Sequence, residues 1–322
     1  MIRRLEKPQE STPMLAQAFT HAQIAHPCRA WDAATLWARP DWRVRISAPV
    51  LDEALTFIPR SAGSGAEAAL GGPYPAFARL ANEIRERLIS FEGVCWIRGL
   101  DDWGLSQEEQ RSFYRVLGSA LGRPLMIQGH LYSLEDQEAP AHRAHGAATN
   151  GFYTQSSSVD LWPDIMGLLC EQPGTVGGES LITNTQRAHR ELCFRVPQMI
   201  DVLEQDFIRD IQETDYERTR ANLLRNRFPI FAGRGCRRTF RYRRSDIESG
   251  QRSAGRPLSA ESMQALNVLD RILASPEHVV RFRLERGDML FTDNRIVAYD
   301  RVTYRDSFEN TRRLRRMWLA TP

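Results

Sequence analysis

The sequence predicts an α+β protein with a double-stranded β-helix core, the jelly-roll type, and helices packed outside it. Three observations support this prediction. Many short apolar segments end at glycine or proline, as strands do. A few longer segments repeat apolar residues at helical spacing. No internal repeat, low-complexity segment or linker divides the 322 residues. Many short strands covered by a few helices are typical of a jelly roll.

The chain is long enough for one large core, and we predict a single domain over residues 51–322. Residues 1–50 match no pattern that assigns them a role, although residues 13–26 are a candidate helix. Trp31, Trp37 and Trp42 predict that this N-terminal segment packs on the main body rather than remaining disordered.

The elements that lead into the core are predicted from periodicity and capping signals. Residues 61–75 are rich in glycine, alanine and serine and predict a loop. A helix follows, then a buried strand over residues 93–100, and a second helix begins at Ser106, where Glu109 completes a capping box. Residues 124–134 predict a strand and residues 135–150 a polar loop. The apolar faces of the two helices are Phe77, Leu80, Ile84 and Leu88 in the first and Phe113, Leu117 and Leu121 in the second.

The stretch from Gly151 to Ser180 is the one around which the rest of the chain is organised. Its pattern predicts a strand over 152–155, a loop, and an apolar strand over 165–170 that is too short for a helix. Pro173-Gly174 and Gly177-Gly178 predict turns, after which residues 179–184 resume as a strand. A loop before a buried strand commonly carries binding or catalytic residues.

The remaining segments alternate between helix and strand signals. Residues 185–205 predict one or two helices broken at Pro197, and residues 261–273 an amphipathic helix. Residues 214–227 are ambiguous and are a candidate lid-like insertion. The predicted strands are 207–213, 229–231, 239–244, 279–284, 289–293 and a final strand over 312–319.

Composition excludes several classes of function. The net charge of +3 is too small to indicate a nucleic-acid partner, and the basic run RRTFRYRR, residues 237–244, is interpreted as a strand with solvated arginines. Lys7 is the only lysine and lies in a polar N-terminal segment. Schiff-base chemistry, pyridoxal phosphate anchoring and a phosphate-loop lysine are therefore excluded.

Five scattered cysteines without a C-x-x-C spacing predict reduced thiols in a cytoplasmic protein rather than a disulfide framework or zinc site. Cys95 and Cys170 lie in apolar strands and are predicted to be small core residues. No uncharged run approaches membrane-spanning length, so we expect no membrane partner. The sequence leaves the oligomeric state open.

Two segments carry a family resemblance. The first reads P-D-x-x-x-L-L-C and then P-G-x-x-G-G-E-S, and the second is GDMLFTDNRIVAYDR followed by RRLRRMWL. From about residue 75 onward the chain resembles the taurine dioxygenase/TfdA-like iron(II)/2-oxoglutarate oxygenases, with a clavaminate synthase-like jelly roll. In that family a His-x-Asp or His-x-Glu pair and a distal histidine hold Fe(II).

The resemblance breaks at these three positions. The His-x-Asp place is filled by Tyr153, Thr154 and Gln155, and the distal histidine place by Tyr299. Phenol and carboxamide are poor ligands for Fe(II) beside imidazole and carboxylate. We therefore expect no metal at the usual iron site. Either Tyr153, Gln155 and Tyr299 only fill the space of the lost ligands, or they form a metal-free catalytic site; both interpretations stay open.

The resemblance also implies a carboxylate-binding strand at the C-terminus. In the family, an arginine at the Arg312 place binds the far carboxylate of 2-oxoglutarate, and one at the Arg316 place meets the anionic group of the substrate. The period of a strand puts Arg312 and Arg316 on one face and Arg313 and Arg315 on the other, where we expect solvated arginines. A small anionic molecule, 2-oxoglutarate or another carboxylate, is the expected ligand at Arg312.

Three functions remain open on the sequence alone. The first is a non-redox enzyme for a small carboxylate-bearing, amino-acid-derived molecule of specialised metabolism. The second is a binding protein that has kept the pocket without catalysis. The third is an unorthodox iron/2-oxoglutarate oxygenase whose ligands come from elsewhere, with His142 and His145 as the candidates.

Overall fold

The computed structural model describes residues 29–58, 73–127, 130–131, 151–210, 219–305 and 312–321. In chain order, the α-helices are α1 (Ala33–Trp37), α2 (Ala48–Phe57), α3 (Pro75–Ser90), α4 (Gln107–Leu121), α5 (Thr185–Arg195), α6 (Gln198–Leu203), α7 (Arg220–Arg225), α8 (Arg244–Ser253) and α9 (Ala260–Leu273). No described helix is long and apolar enough to cross a membrane.

The longer strands are β1 (Arg43–Arg45), β2 (Val94–Arg98), β6 (Ile165–Gln172), β8 (Ser180–Asn184), β13 (Val280–Phe282), β14 (Met289–Asp293), β15 (Val297–Arg301) and β17 (Arg313–Ala320). Two-residue strands complete the set: β3 (Arg123–Pro124), β4 (Met126–Ile127), β5 (His130–Leu131), β7 (Val176–Gly177), β9 (Phe207–Ile208), β10 (Arg227–Phe228), β11 (Phe231–Ala232), β12 (Thr239–Phe240) and β16 (Tyr304–Arg305).

A six-stranded sheet in the order β1-β2-β14-β6-β17-β3 is the centre of the fold. All its pairings are antiparallel except that of β1 with β2. Strand β6 is buried on both faces, because Ile165 and Leu169 belong to one apolar cluster and Met166 and Leu168 to another. Gly167 between them has no room for a side chain, since a Cβ would lie 2.7 Å from the Tyr114 hydroxyl oxygen.

The two faces of this sheet have different neighbours. The outer face packs on helices α2, α3 and α4 through one apolar cluster. The inner face packs on a three-stranded sheet, β13-β8-β15, through a second cluster that includes Ile182, Leu290 and Trp318. A third cluster joins the far side of the smaller sheet, at Ala298, to α5, α6 and α9. Two facing sheets with helices outside both are the arrangement that the sequence predicts.

Local signals predicted helices α3, α4, α5, α6 and α9. Ser106 caps α4 and its hydroxyl and backbone exchange hydrogen bonds with Glu109, which is the predicted capping box. The predicted apolar faces of α3 and α4 are buried, the break at Pro197 separates α5 from α6, and α9 spans the predicted amphipathic segment. Cys95 and Cys170 are core residues, as expected.

Several predicted strands are wrong or shorter. Residues 152–155 make a single bridge, at Tyr153, instead of a strand. Residues 124–134 divide into short strands, and the strands at 207–213 and 239–244 are two residues long in the described part. Residues 13–26, 135–150 and 214–218 lie outside the described residues.

The basic run at 237–244 is the clearest correction. Only Thr239–Phe240 form a strand there, α8 begins at Arg244, and Arg241 is 8% exposed rather than solvated. In the N-terminal segment, Trp31 and Trp42 are buried in the second cluster while Trp37 is exposed. The domain boundary at residue 50 stays a prediction.

Candidate functional site

Two tyrosines, Tyr153 and Tyr299, face each other across a pair of backbone hydrogen bonds. The Tyr153 N–H donates to the Tyr299 carbonyl oxygen at 3.0 Å, and the Tyr299 N–H donates to the Tyr153 carbonyl oxygen at 2.9 Å. Their rings meet edge to face with centroids 6.2 Å apart, an arrangement that aromatic quadrupoles favour. The structure therefore brings together residues that are 146 positions apart in the sequence.

Tyr299 belongs to strand β15 and lies opposite Ile182 of β8. Its side chain is 6% exposed and packs in the cluster between the two sheets. Its hydroxyl oxygen is 3.3 Å from the Ser180 Oγ, and either group can donate. The Tyr299 phenol thus crosses from one strand of the small sheet to the start of its neighbour, whereas Tyr153 is only half-buried.

Gln155 lies two residues beyond the bridge and is 2% exposed. Its side-chain oxygen Oε1 accepts a hydrogen bond from Nη1 of Arg316 at 3.3 Å. A guanidinium group can only donate, so the Gln155 amide presents its oxygen to Arg316 and its NH₂ group to the other side. Gln155 therefore has a fixed orientation, with its NH₂ group turned away from Arg316.

Asn294 holds Gln155 in place and was not predicted to do so. Its Oδ1 accepts from the Gln155 N–H at 2.7 Å, and its Nδ2 donates to the carbonyl oxygens of Gln155 and Pro163. Asp293 Oδ1 accepts from the Arg295 N–H at 3.0 Å, as a residue that caps a turn does. Asp293 also binds the guanidinium groups of Arg29 and Arg295, so it is not an available carboxylate.

Arg316 occupies the inner face of β17, opposite Leu168 of β6. Leu314 and Trp318 share this face and belong to the cluster between the sheets, as the period of two predicts. Arg313 is exposed, as expected, but the prediction of a solvated Arg315 is wrong. Arg315 Nε lies 2.7 Å from Oε1 of the buried Glu171, because the outer face of the sheet supplies a carboxylate there.

Arg312 immediately precedes β17 and is 4% exposed. Its Nη2 donates to the Gly178 carbonyl oxygen at 3.4 Å, and its guanidinium carbon lies 5.1 Å from the Tyr304 ring centroid. Gly178 has a φ of +76°, and a Cβ there would lie 3.0 Å from the Arg312 Nε, so only glycine fits beside this arginine.

A small pocket surrounds the Arg312 side chain. Its cavity volume is about 10 Å³, room for roughly one water molecule, and it is lined by Arg312, Arg283, backbone of the turn that contains Gly174 and Gly178, and Cys170. Burial raises the pKa of the Cys170 thiol to about 12, so this cysteine stays protonated near neutral pH. The pocket combines guanidinium groups with backbone that approaches closely.

Arg243 is a second residue that sequence reasoning missed at this site. Its guanidinium carbon lies 4.5 Å from the centroid of the Tyr153 ring, and its Nη1 is 3.8 Å from Oδ2 of Asp246. Asp246 is buried and accepts a 2.5 Å hydrogen bond from the Ser157 hydroxyl. No local signal identifies this contact, since α8 meets residues 153–157 only through the tertiary fold.

His189 and His278 have local contacts within the described residues. Burial first and the neighbouring Arg238 second lower the pKa of His189 to about 4, so this imidazole is neutral. The His278 ring packs in the interior with its Nδ1 2.9 Å from the Ile272 carbonyl oxygen. Burial raises the pKa of the Asp300 carboxyl. His142 and His145 lie outside the described residues.

Fe(II) is the metal that the resemblance implies, and the residues at the three expected positions do not fit it. Two phenols and a carboxamide replace imidazole and carboxylate donors, and the carboxamide oxygen already accepts from a guanidinium cation. Within the described part of the chain, no group of three His, Cys, Asp or Glu side chains could hold a metal ion.

Comparisons with known proteins agree with the fold. The family model for the taurine catabolism dioxygenase TauD, TfdA family matches residues 57–318. The chain is 26% identical over 259 residues to FR-33289 synthase from Streptomyces rubellomurinus (strain ATCC 31215), covering 77% of this chain and 74% of that protein.

Solved structures of iron oxygenases share the architecture. An asparagine oxygenase in complex with Fe(II), 2S,3S-3-hydroxyasparagine and succinate superposes with a TM-score of 0.66 at 16% identity, covering 87% of this chain and 94% of that one. The non-heme iron oxygenase OrfP, as a point mutant in complex with (3S)-hydroxy-L-Arg, gives a TM-score of 0.65 at 16% identity, covering 87% of this chain and 94% of that one. At this identity the likeness concerns the fold, and it confirms the predicted jelly-roll core.

Proposed function

This chain belongs to the taurine catabolism dioxygenase TauD, TfdA family, and we propose that it is a metal-independent, non-redox enzyme acting on a small carboxylate-bearing, amino-acid-derived metabolite. The proposal keeps the family's fold and its carboxylate-binding arginine, Arg312. It assigns the family's iron position to Tyr153, Gln155 and Tyr299.

One observation carries this proposal, the hydrogen bond from Arg316 to the Gln155 side-chain oxygen. At the Gln155 position the resemblance implies a carboxylate that binds Fe(II). A neutral amide brings no negative charge to a metal. The guanidinium group that donates to it would also place a like charge at short range from a metal cation. The guanidinium group supplies positive charge beside the site without a metal.

The substrate class follows from the arginines and from the relatives. A guanidinium group binds a carboxylate with two parallel hydrogen bonds, a geometry that other side chains do not match. The asparagine oxygenase and OrfP structures contain hydroxylated amino acids. In the proposed complex Arg312 binds a carboxylate of the substrate, and Arg316 together with the Gln155 NH₂ group orients the reacting end.

The two phenols are the proposed proton-transfer groups. Tyr153 is half-buried, so it is the more accessible acid or base, and Arg243 covers one face of its ring. Tyr299 is deeper and its hydroxyl contacts Ser180, so it orients the ligand or relays a proton to Tyr153. No redox partner enters this scheme, because each step moves only protons or binds charge.

The alternative is a binding protein without catalysis, and the Tyr299 contact with Ser180 favours it. The Tyr299 phenol fills the space between β15 and β8, and its hydroxyl has a hydrogen-bond partner within the protein. Packing alone therefore accounts for this side chain, without a catalytic role. The same pocket around Arg312 would then hold a ligand unchanged.

Calorimetry and product analysis separate these functions. Protein stripped with a chelator is titrated with 2-oxoglutarate, succinate, L-asparagine and L-arginine, and we expect at least one to bind equally well with and without metal. The binding mixtures are then followed by proton NMR for new products in wild type, Tyr153→Phe and Tyr299→Phe. Loss of product with binding retained supports catalysis, and binding without product in wild type supports the binding protein. Stoichiometric iron in the purified protein, with 2-oxoglutarate converted to succinate, would overturn both.

A further inference from the structure

A second group of buried arginines lies beyond the site described above. Arg209 is 1% exposed and Arg241 is 8% exposed. Their guanidinium carbons lie 3.8 Å and 3.7 Å from the centroid of the same ring, Phe228. Two guanidinium groups cannot share one face at these distances, so they cover opposite faces. The Trp162 ring centroid lies 4.7 Å from the Arg241 carbon. We call Arg209, Phe228, Arg241 and Trp162 the arginine stack.

The hydrogen bonds of the arginine stack run to neutral backbone oxygens. Arg241 Nη2 donates to the Ser158 carbonyl oxygen at 2.5 Å. Arg209 donates only to carbonyl oxygens among the described residues, those of Phe207, Phe228, Pro229 and Arg241. Carbonyl dipoles and aromatic faces stabilise a cation, but they do not neutralise its charge.

The salt bridges of this region involve other arginines. No carboxylate among the described residues lies within salt-bridge distance of Arg209 or Arg241, and the three nearby acid–arginine pairs are Asp160 with Arg225, Asp206 with Arg227, and Asp246 with Arg243. Burial lowers the pKa of Arg241 to about 9, which is the cost of holding this charge without a counter-ion. The stack therefore carries two positive charges that no described carboxylate contacts directly, and Asp246 and Asp206 act on Arg209 only at longer range.

Two N–H donors in the stack point to a ligand. Arg241 Nε and Trp162 Nε1 are buried and have no hydrogen-bond partner among the described residues. Buried donors are almost always paired in folded proteins, because an unmade hydrogen bond costs free energy. Packing explains the aromatic faces of the stack, but it does not explain why both donors lack an acceptor.

We propose that the arginine stack is a binding site for a small oxyanion, a carboxylate or phosphate group, held by the Nε of Arg241 and the Nε1 of Trp162. The ligand brings the acceptors and the negative charge that the stack lacks. The site is separate from the Arg312 pocket, and the proposal does not depend on catalysis at Tyr153. Arg241 donates to the carbonyl oxygen of Ser158, which is three residues along the chain from Gln155.

The test titrates the full chain with sodium phosphate, sodium sulfate and sodium acetate at constant ionic strength, by calorimetry and by thermal unfolding. We expect saturable binding and a rise in the melting temperature with at least one anion; phosphate against acetate tells which oxyanion the site prefers. Trp162→Phe keeps the aromatic ring and removes one donor, so binding should weaken about tenfold, the worth of one hydrogen bond to a charged group.

Matched variants identify the site. Arg241→Lys keeps a positive charge but loses Nε and the planar stacking group, and we expect it to abolish the binding. Arg225→Gln removes an exposed arginine that pairs with Asp160 on the same loop and should bind as wild type does. Arg312→Ala separates this site from the proposed substrate pocket, and anion binding at the stack should persist in it.

Two results would overturn the proposal. One is the absence of saturable binding of all three anions to wild type at anion concentrations up to about 10 mM, where a site with a Kd of about 1 mM would be nearly saturated. The other is equal affinity in wild type and Trp162→Phe, checked for folding by circular dichroism. The tryptophan variant decides the question even where Arg241→Lys fails to fold.

Discussion

The outer face of the six-stranded sheet and the arginine stack bury arginines in opposite ways. On the outer face, the buried Glu171 accepts from Arg111 at 2.6 Å and from Arg315 at 2.7 Å. In the arginine stack, Arg209 and Arg241 meet carbonyl oxygens and aromatic rings. Where the protein supplies the acid, the cluster is complete and has a structural role. Where the groups in direct contact are neutral, we propose that a ligand supplies the negative charge.

The same contrast separates two adjacent residues of β17. Arg315 faces outward and binds Glu171, whereas Arg316 faces inward and donates to the Gln155 amide. The charge of Arg315 is compensated by the protein, and a ligand has nothing to add there. Arg316 meets a neutral amide at the proposed site. A strand thus places a structural arginine beside one that we propose binds the ligand, and the predictions below test that division.

The largest expected effect is on the outer face. Glu171→Ala leaves two arginines around an empty position, and removing one partner of a buried charge cluster costs about 3–5 kcal/mol of unfolding free energy. Urea denaturation measures it. Glu108→Ala is the control, because the exposed Glu108 also pairs with Arg111 and Arg115 but should change stability by less than about 1 kcal/mol. Equal losses in the two variants would contradict the structural role of Glu171.

The second effect concerns ligand binding at the two faces of the C-terminal segment. Arg312→Ala should weaken binding of 2-oxoglutarate or succinate by about one to two decades, the worth of a charge-assisted contact of about 1.5–3 kcal/mol. Arg313→Ala removes an exposed arginine and should leave the affinity unchanged. Calorimetry with chelator present compares the two. Equal weakening by both variants would mean that binding responds to net charge rather than to the Arg312 pocket.

A third effect is the dependence of stability on pH. Burial raises the pKa of Glu171, but the hydrogen bonds from Arg111 and Arg315 outweigh it and hold the pKa below its usual value of 4.5. A depressed folded-state pKa stabilises the protein above the unfolded pKa, and this contribution is lost as pH falls through the folded value. Wild type and Glu171→Gln should therefore differ in urea stability at about pH 7 and converge below pH 4.5. A constant difference across this range would show that Glu171 does not act through its charge.

The smallest expected effect tests the comparison with an exposed ion pair. The ion pair between Arg225 and Asp160 lies beside the arginine stack, and both side chains are more than half exposed. Exposed pairs contribute about 0–1 kcal/mol, so Arg225→Gln should barely change the unfolding free energy. A large loss of unfolding free energy, measured in urea, would show that proximity to the arginine stack determines how much an arginine contributes to stability, rather than the burial of its ion pair.

Local signals predicted much of the fold, and long-range contacts account for what they missed. The Ser106 capping box and the period of β6 are written within a few residues, so helices and central strands could be predicted. The resemblance led to Tyr153 and Tyr299 as candidate site residues. The contacts of Arg316 with Gln155 and of Asn294 with Gln155 join residues more than 130 positions apart, and composition carries no sign of them.

The basic run at 237–244 shows why charge alone misleads. Alternating arginines on a strand are expected to be solvated, because a buried guanidinium group needs a partner. Here the partners of Arg241 are the rings of Phe228 and Trp162, which come from two other segments. The same sequence could form a solvated strand in another tertiary structure, so only the fold identifies Arg241 as buried.

The bridge between Tyr153 and Tyr299 is made by backbone atoms, and this has an evolutionary consequence. Hydrogen bonds between main chains do not depend on which side chains they carry, and Asn294 likewise holds Gln155 by its backbone. The backbone arrangement that positions residues 153, 155 and 299 therefore does not depend on which side chains these three residues carry. A lineage can exchange the three side chains, or an engineer can install histidines and a carboxylate there, without first rebuilding the barrel.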